Sequence, residues 1–239
     1  MSIERKDNIT IVSGYWPVHN LHSHETYCKW FQNTLKINQR MYFFGDSSVK
    51  DLISPYRENL ETIFVEHPIK QFYSNNFYSR YWTEPYHIPS IEIGKIWQEK
   101  INLLKIAKDM DGENATDYYI WYDAAAFPFR NQPPPSQRLT LKDGYNLPYN
   151  QILYSEPYPF RDNHIYSTII QIIPKNVIDN LHILYYKCLR RIASSKPKKW
   201  QYGYDYIVFT ELLKTYPLLF TKIAVGNGEN IIKLYKHFL

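Results

Sequence analysis

The chain has 239 residues, 44% of them hydrophobic and 21% charged, with a formal net charge of +5. This length can bury a substantial core, and these fractions are those of a globular protein, so disorder is not the default reading. The mild positive charge is compatible with an anionic ligand, but the basic residues are scattered and the signal is weak.

The segment "NITIVSGYW" (8–16) is apolar and β-branched and predicts a first buried strand. In "HSHETYCKWFQNTLKI", Ser23 stands at an N-cap, and Tyr27, Trp30, Phe31 and Leu35 recur at helical spacing. "RMYFFGD" (40–46) reads as a second strand, "SVKDLISPYREN" as a short helix broken at Pro55, and "ETIFVEH" (61–67) as a third strand. Residues 68–91 are aromatic without a sustained period and read as a long loop. The segment 91–110 carries an apolar stripe of Ile93, Ile96, Trp97, Ile101, Leu104 and Ala107, and it leads to a strand, "DYYIWY" (117–122). "QILYSEPYPF" and "HIYSTIIQIIP" read as strands, and 175–195 as a helix with Val177, Leu181, Leu184, Cys188 and Ile192 on one face. A basic loop, "KPKKWQYG", precedes a helix at about 204–215, then "LLFTKIAV" and an amphipathic tail. Alternating strands and helices predict an α/β protein with a mostly parallel central sheet covered on both faces. With no repeat and no clean linker, a single domain over 1–239 is expected.

Two isolated cysteines, Cys28 and Cys188, do not make a disulfide framework, and no apolar run approaches bilayer length. The expectation is a cytoplasmic protein without a transmembrane segment. The 23 tyrosines and 6 tryptophans must enter the core or a surface that stacks flat ligands.

Asp123 ends the predicted strand at 117–122 and is followed by three alanines. In an open parallel sheet, ligands bind beyond the carboxyl ends of the strands. A carboxylate there can hold a divalent cation or accept hydrogen bonds from ribose or sugar hydroxyls. The competing reading is a turn residue bonded to its own backbone.

"WQEKINLLKIAKDMDGENATDYYIWYDAAAFPFR" (97–130) resembles the core of the HtrL/YibB-like proteins, in which a helix leads to a strand ending in a comparable aspartate. That family is related to glycosyltransferases of the GT-A fold. "ITIVSGYW" resembles its first strand, and residues 166–189 resemble the GT-A acceptor-side strand and helix.

The resemblance implies a GT-A-like sandwich, with 1–130 as the donor nucleotide-binding half and 131–239 as the acceptor-side half. The implied activity is transfer of a sugar, of the hexosyl class, from a nucleotide-diphosphate sugar to a glycan or glycoprotein acceptor, with UDP-sugar favoured. GT-A enzymes usually carry D-x-D after this strand, holding Mn²⁺ or Mg²⁺. Asp123 takes the first position, but Ala125 occupies the second. Three outcomes follow: a metal held by Asp123 with a distant ligand such as His237, a metal-free site using basic residues, or a fold without catalysis.

Tyr15 and His19 fall where a GT-A protein binds its nucleotide, together with His22 and His24, whose spacing matches no zinc motif. Lys100 and Arg130 flank Asp123 and can offset diphosphate charge, although a lysine inside an amphipathic helix is usually solvated. For an acceptor-side base, Asp205 is the first choice, with Glu156 and Glu211 behind it; Asp205 also fits a helix first turn. Tyr78, Tyr81 and Trp82 in the aromatic loop can stack on an acceptor sugar or form a satellite cluster. The alternatives are a noncatalytic glycan- or nucleotide-binding module, which Ala125 favours, and a single-stranded nucleic-acid binder. "KPKKW" is the only compact basic cluster and no recognition motif accompanies it, so nucleic acid is not an expected partner.

Overall fold

A computed structural model describes residues 8–77, 89–139, 147–156, 168–194 and 204–237, with the side chains of 236 and 237 outside that description. Tyr78, Tyr81, Trp82 and the "KPKKW" cluster also lie outside the described residues.

Strand and helix alternate as the hydrophobic pattern predicts. The order is β1 (Ile9–Tyr15), α1 (His24–Thr34), β2 (Met41–Gly45), α2 (Ser47–Ile53), β3 (Thr62–Glu66), α3 (Ile91–Asp111) and β4 (Tyr118–Tyr122). There follow β5 (Ile152–Glu156), β6 (Ile170–Pro174), α4 (Lys175–Ser194), α5 (Asp205–Thr215), β7 (Phe220–Val225) and α6 (Glu229–His237). Ser23 caps α1 by accepting from the Thr26 amide, and Ser90 caps α3 by accepting from the Ile93 amide. After Ile53 the chain tightens into a 3₁₀ turn, Ser54–Tyr56, containing Pro55.

The strands form one sheet in the order β3-β2-β1-β4-β6-β5-β7. β3, β2, β1 and β4 pair in parallel, as do β5 and β7, whereas β6 runs antiparallel to both of its neighbours. Successive residues alternate between two cores. Tyr118, Ile120 and Tyr122 join Phe31, Val49 and Leu234 on one face, and Tyr119 and Trp121 join Leu104, Leu181 and Phe209 on the other. Both faces are therefore covered, which is why the strands read as nearly continuous apolar runs.

Two regions differ from the sequence expectation. Part of the expected long loop is ordered into short 3₁₀ turns, Ile69–Gln71 and Tyr73–Phe77. The buried Glu99 carboxylate fixes it, accepting from the amides of Tyr73 (3.0 Å) and Ser74 (2.8 Å). The polar run Gln98, Glu99 and Lys100 lies mid-helix yet is 0%, 0% and 3% exposed. Helix α3 packs against the sheet, against α4 and against the 3₁₀ segment, so it has no broad solvated face. Among the described residues no helix is long and apolar enough to cross a membrane, and Cys28 and Cys188 are both free thiols.

Candidate active site

From β1 the chain steps outward to β2 and β3, then crosses back to place β4 on the other side of β1. Connections leaving β1 and β4 therefore diverge, opening a crevice at their carboxyl ends. A cavity of about 290 Å³ lies there, near the lower end of the roughly 300–1,000 Å³ usual for ligand pockets. Its walls include Tyr15 at the end of β1, Trp16 just beyond it, Tyr27 from α1, Trp97 and Lys100 from α3, Asp123 after β4, and Arg130. Gly14 lets the Trp16 ring fold back along this wall. A Cβ there would stand 2.7 Å from the indole and 3.0 Å from the Phe44 carbonyl oxygen.

Asp123 is half-buried, and its position is fixed from three sides. Its amide donates to the Ile169 carbonyl (3.0 Å). The Trp121 indole Nε1 donates to Oδ1 (2.6 Å), and the Lys100 ammonium stands 3.2 Å from the same oxygen. Two residues apart on a strand, Trp121 and Asp123 share a side, so an indole donor was available from spacing alone.

Lys100 Nζ also lies 3.0 Å from Asp205 Oδ2 and donates to the Thr168 carbonyl oxygen (3.2 Å), with the Trp121 ring centroid 5.5 Å away. Asp205 is itself buried and accepts from the Thr168 hydroxyl through Oδ1 (2.8 Å). Burial alone would lower the Lys100 pKa, but Asp123 and Asp205 together hold it above the ordinary lysine value. Burial raises the Asp205 carboxyl, against the opposing pull of Lys100. Lys100 thus stays charged, and Asp205 keeps its proton to a higher pH than an exposed aspartate.

The three alanines are buried, so the loop after Asp123 lies tight on α1. The Thr34 hydroxyl donates to the Ala124 carbonyl in a short hydrogen bond. Arg130 Nε donates to the Ala125 carbonyl (2.8 Å), and its guanidinium sits 3.8 Å from the Trp30 ring centroid. Burial lowers the Arg130 pKa, but a guanidinium remains charged. Tyr27, on the same wall, has its hydroxyl pushed up to about 12 by burial.

The other residues singled out in the sequence are more dispersed. The Tyr15 hydroxyl meets His24 Nδ1 (2.8 Å), His22 lines the cavity edge-on to Trp30, and His19 is exposed with its carbonyl accepting from Ser90. Glu156 is paired with Lys222 (2.6 Å), and Glu211 is paired with Lys214 (3.4 Å) and Arg191 (3.6 Å); neither lines this cavity. The His237 side chain lies outside the described residues.

The donor set here does not fit a divalent metal. Ala125 supplies no oxygen from its side chain, and the ammonium of Lys100 already occupies the space facing Asp123 and Asp205. Among the described residues no group of three or more His, Cys, Asp or Glu side chains is placed to hold a metal ion.

No family profile and no curated protein matches the chain. Solved structures do. Mouse xyloside xylosyltransferase 1 is 11% identical with a TM-score of 0.54, over 90% of this chain and 84% of that one. A glycosyltransferase involved in glycosylating the major capsid of PBCV-1 is 13% identical with a TM-score of 0.45, over 96% and 88%. A Desulfovibrio desulfuricans protein assigned as a nucleotide-diphospho-sugar transferase is 7% identical with a TM-score of 0.41, over 92% and 81%. Among the described residues the chain has an α/β fold with a mostly parallel seven-stranded sheet, a fold similar to that of mouse xyloside xylosyltransferase 1.

Proposed function

We propose that the chain transfers a sugar from a nucleotide-diphospho-sugar to a glycan or glycoprotein acceptor. The observation that carries this reading is Asp123, held by Trp121 and Lys100 at the mouth of an aromatic-walled cavity at the sheet's switch point. Asp123 accepts hydrogen bonds from ribose or sugar hydroxyls. Arg130 meets the diphosphate. Tyr27 and Trp97 offer ring faces to the base and the sugar. Residues 1–130 form the donor half and 131–239 the acceptor half, UDP-sugars of the hexosyl class are the favoured donors, and the setting is cytoplasmic. The resemblance of residues 97–130 to HtrL/YibB-like proteins supports the same reading.

Asp205 is reassigned within it. A base must reach the acceptor hydroxyl, and a carboxylate 2% exposed against Lys100 does not. Its role here is to hold Lys100. The same observation favours the second reading, a noncatalytic nucleotide- or glycan-binding module.

A thermal-shift panel of UDP, GDP, CMP and their sugar conjugates tests the proposal. One nucleotide class is expected to raise Tm by mass action. Asp123→Ala is expected to fold but bind that donor about 10–100-fold more weakly, from loss of hydrogen bonds to a charged acceptor. Undiminished affinity in that variant would remove Asp123 from the site.

A further inference from the structure

On the reading above, a nucleotide-diphospho-sugar brings negative charge to a cavity whose signature aspartate has lost its usual partner carboxylate. We propose that the cation of this site is built into the chain. The Lys100 ammonium permanently fills an oxygen cradle formed by Asp123, Asp205 and Thr168, and the donor is taken without a divalent metal.

Three observations converge on this. The Nζ atom faces only oxygens: Asp123 Oδ1 at 3.2 Å, Asp205 Oδ2 at 3.0 Å and the Thr168 carbonyl at 3.2 Å. An all-oxygen set with two carboxylates is what a hard cation selects, and the ammonium occupies it, donating to the Thr168 carbonyl and ion-paired with both carboxylates. The cradle is closed to solvent except on the side of Asp123: Lys100 is 3% exposed, Asp205 is 2% exposed, and the Trp121 ring lies alongside the ammonium. Displacing the lysine would leave a buried charge with nowhere to go, because α3 fixes its backbone in the middle of a packed helix. Finally, the carboxylate that a metal would require beside Asp123 is replaced by Ala125, whose side chain packs into the core.

Lys100 is then a positioning residue. Its single positive charge offsets the carboxylates of Asp123 and Asp205 and so weakens the negative field that a diphosphate would meet at the donor pocket, without a direct bond to the donor. Asp123 Oδ2, which no described protein group engages, remains for hydroxyl recognition.

The proposal predicts an inversion of metal behaviour on substitution. In a Mn²⁺ titration followed by the EPR signal of the free aquo ion, wild-type protein is expected to retain no Mn²⁺ up to about 1 mM, where a formed carboxylate site would bind it. The UDP thermal shift is expected to be the same in EDTA as in Mn²⁺. Lys100→Ala empties the cradle, leaving two carboxylates and a carbonyl around a void. It is expected to bind Mn²⁺ at least about tenfold more tightly than wild type, to gain Tm on Mn²⁺ addition, and to lose both effects when Asp205→Asn is added.

A wild-type protein that retains Mn²⁺, and releases it on Asp123→Asn substitution, would overturn the proposal. So would a folded Lys100→Ala protein that takes up no Mn²⁺. Should Lys100→Ala fail to fold, the wild-type titration decides alone. Absence of any nucleotide response, with Mn²⁺ still excluded, would sink the sugar-transfer reading and leave the filled cradle standing.

Discussion

Asp111 closes α3 at the amino ends of the strands, far along the helix from Lys100, and shows how single buried charges are stabilised in this chain. Its carboxylate is gripped by both Arg40 terminal nitrogens (2.5 and 3.0 Å) and by the hydroxyls of Tyr42 (2.6 Å) and Tyr119 (2.5 Å). Burial acts to raise its pKa, but these donors outweigh it and hold the carboxyl below the ordinary 3.8. A carboxylate whose pKa is lower folded than unfolded adds stability that is complete above the unfolded value. That stability is lost as the pH falls through the folded value. Asp111→Asn is therefore expected to cost about 3 kcal/mol at neutral pH, as for a broken buried pair, and to flatten the acid limb below pH 3.8. Urea denaturation across pH measures both. A variant whose profile parallels the wild type would show that other carboxylates set the acid limb. Arg57 is a second such group. It donates to the carbonyls of Leu35, Ile37, Gln39 and Glu61, where α1 ends and two strands begin, and burial pulls its pKa down to about 10.

Helix α3 organises the site because its middle turn reaches three neighbours through three consecutive side chains. Gln98 accepts from Tyr185 of α4 through Oε1 (2.5 Å), Glu99 ties down the 3₁₀ segment before the helix, and Lys100 holds Asp123 and Asp205. Glu99→Ala leaves the Tyr73 and Ser74 amides without their carboxylate partner, an expected loss of about 2–3 kcal/mol. Hydrogen exchange should localise the loosening to residues 69–77, and unchanged protection there would refute the clamp. The apolar stripe of α3 was plain from spacing, since Ile93, Ile101, Leu104 and Ala107 are all buried. The burial of Gln98, Glu99 and Lys100 was not, because polar side chains carry no periodic signal for burial and their partners lie far away in sequence. The reversed direction of β6 was hidden for a related reason. A strand buried on both faces has the same residue pattern whichever way it runs.

At the scale of the whole molecule, the cavity exists because the sheet changes direction of growth between β1 and β4, and residues distant in sequence converge there from β1, α3, β4 and the start of α5. Asp123 was readable because a strand of buried aromatics ends on one carboxylate, and Lys100, Arg130 and Asp205 stood near it in the sequence or in the resemblance. Their arrangement was not readable. Nothing local to Asp205 tells a helix-start aspartate from one locked against a lysine on another helix. Glu156 and Glu211, which stood behind Asp205 as candidate bases, pair with surface lysines and arginine away from the cavity. The most direct test of the sugar-transfer account is release of free nucleotide diphosphate from the donor that best stabilises the protein, measured without acceptor in EDTA. Slow release by wild type, reduced at least about tenfold by Asp123→Ala, is the predicted result, because the carboxylate's hydrogen bonds are lost in the transition state as well. No release from a donor that binds tightly would contradict it and mark the chain as a binding module.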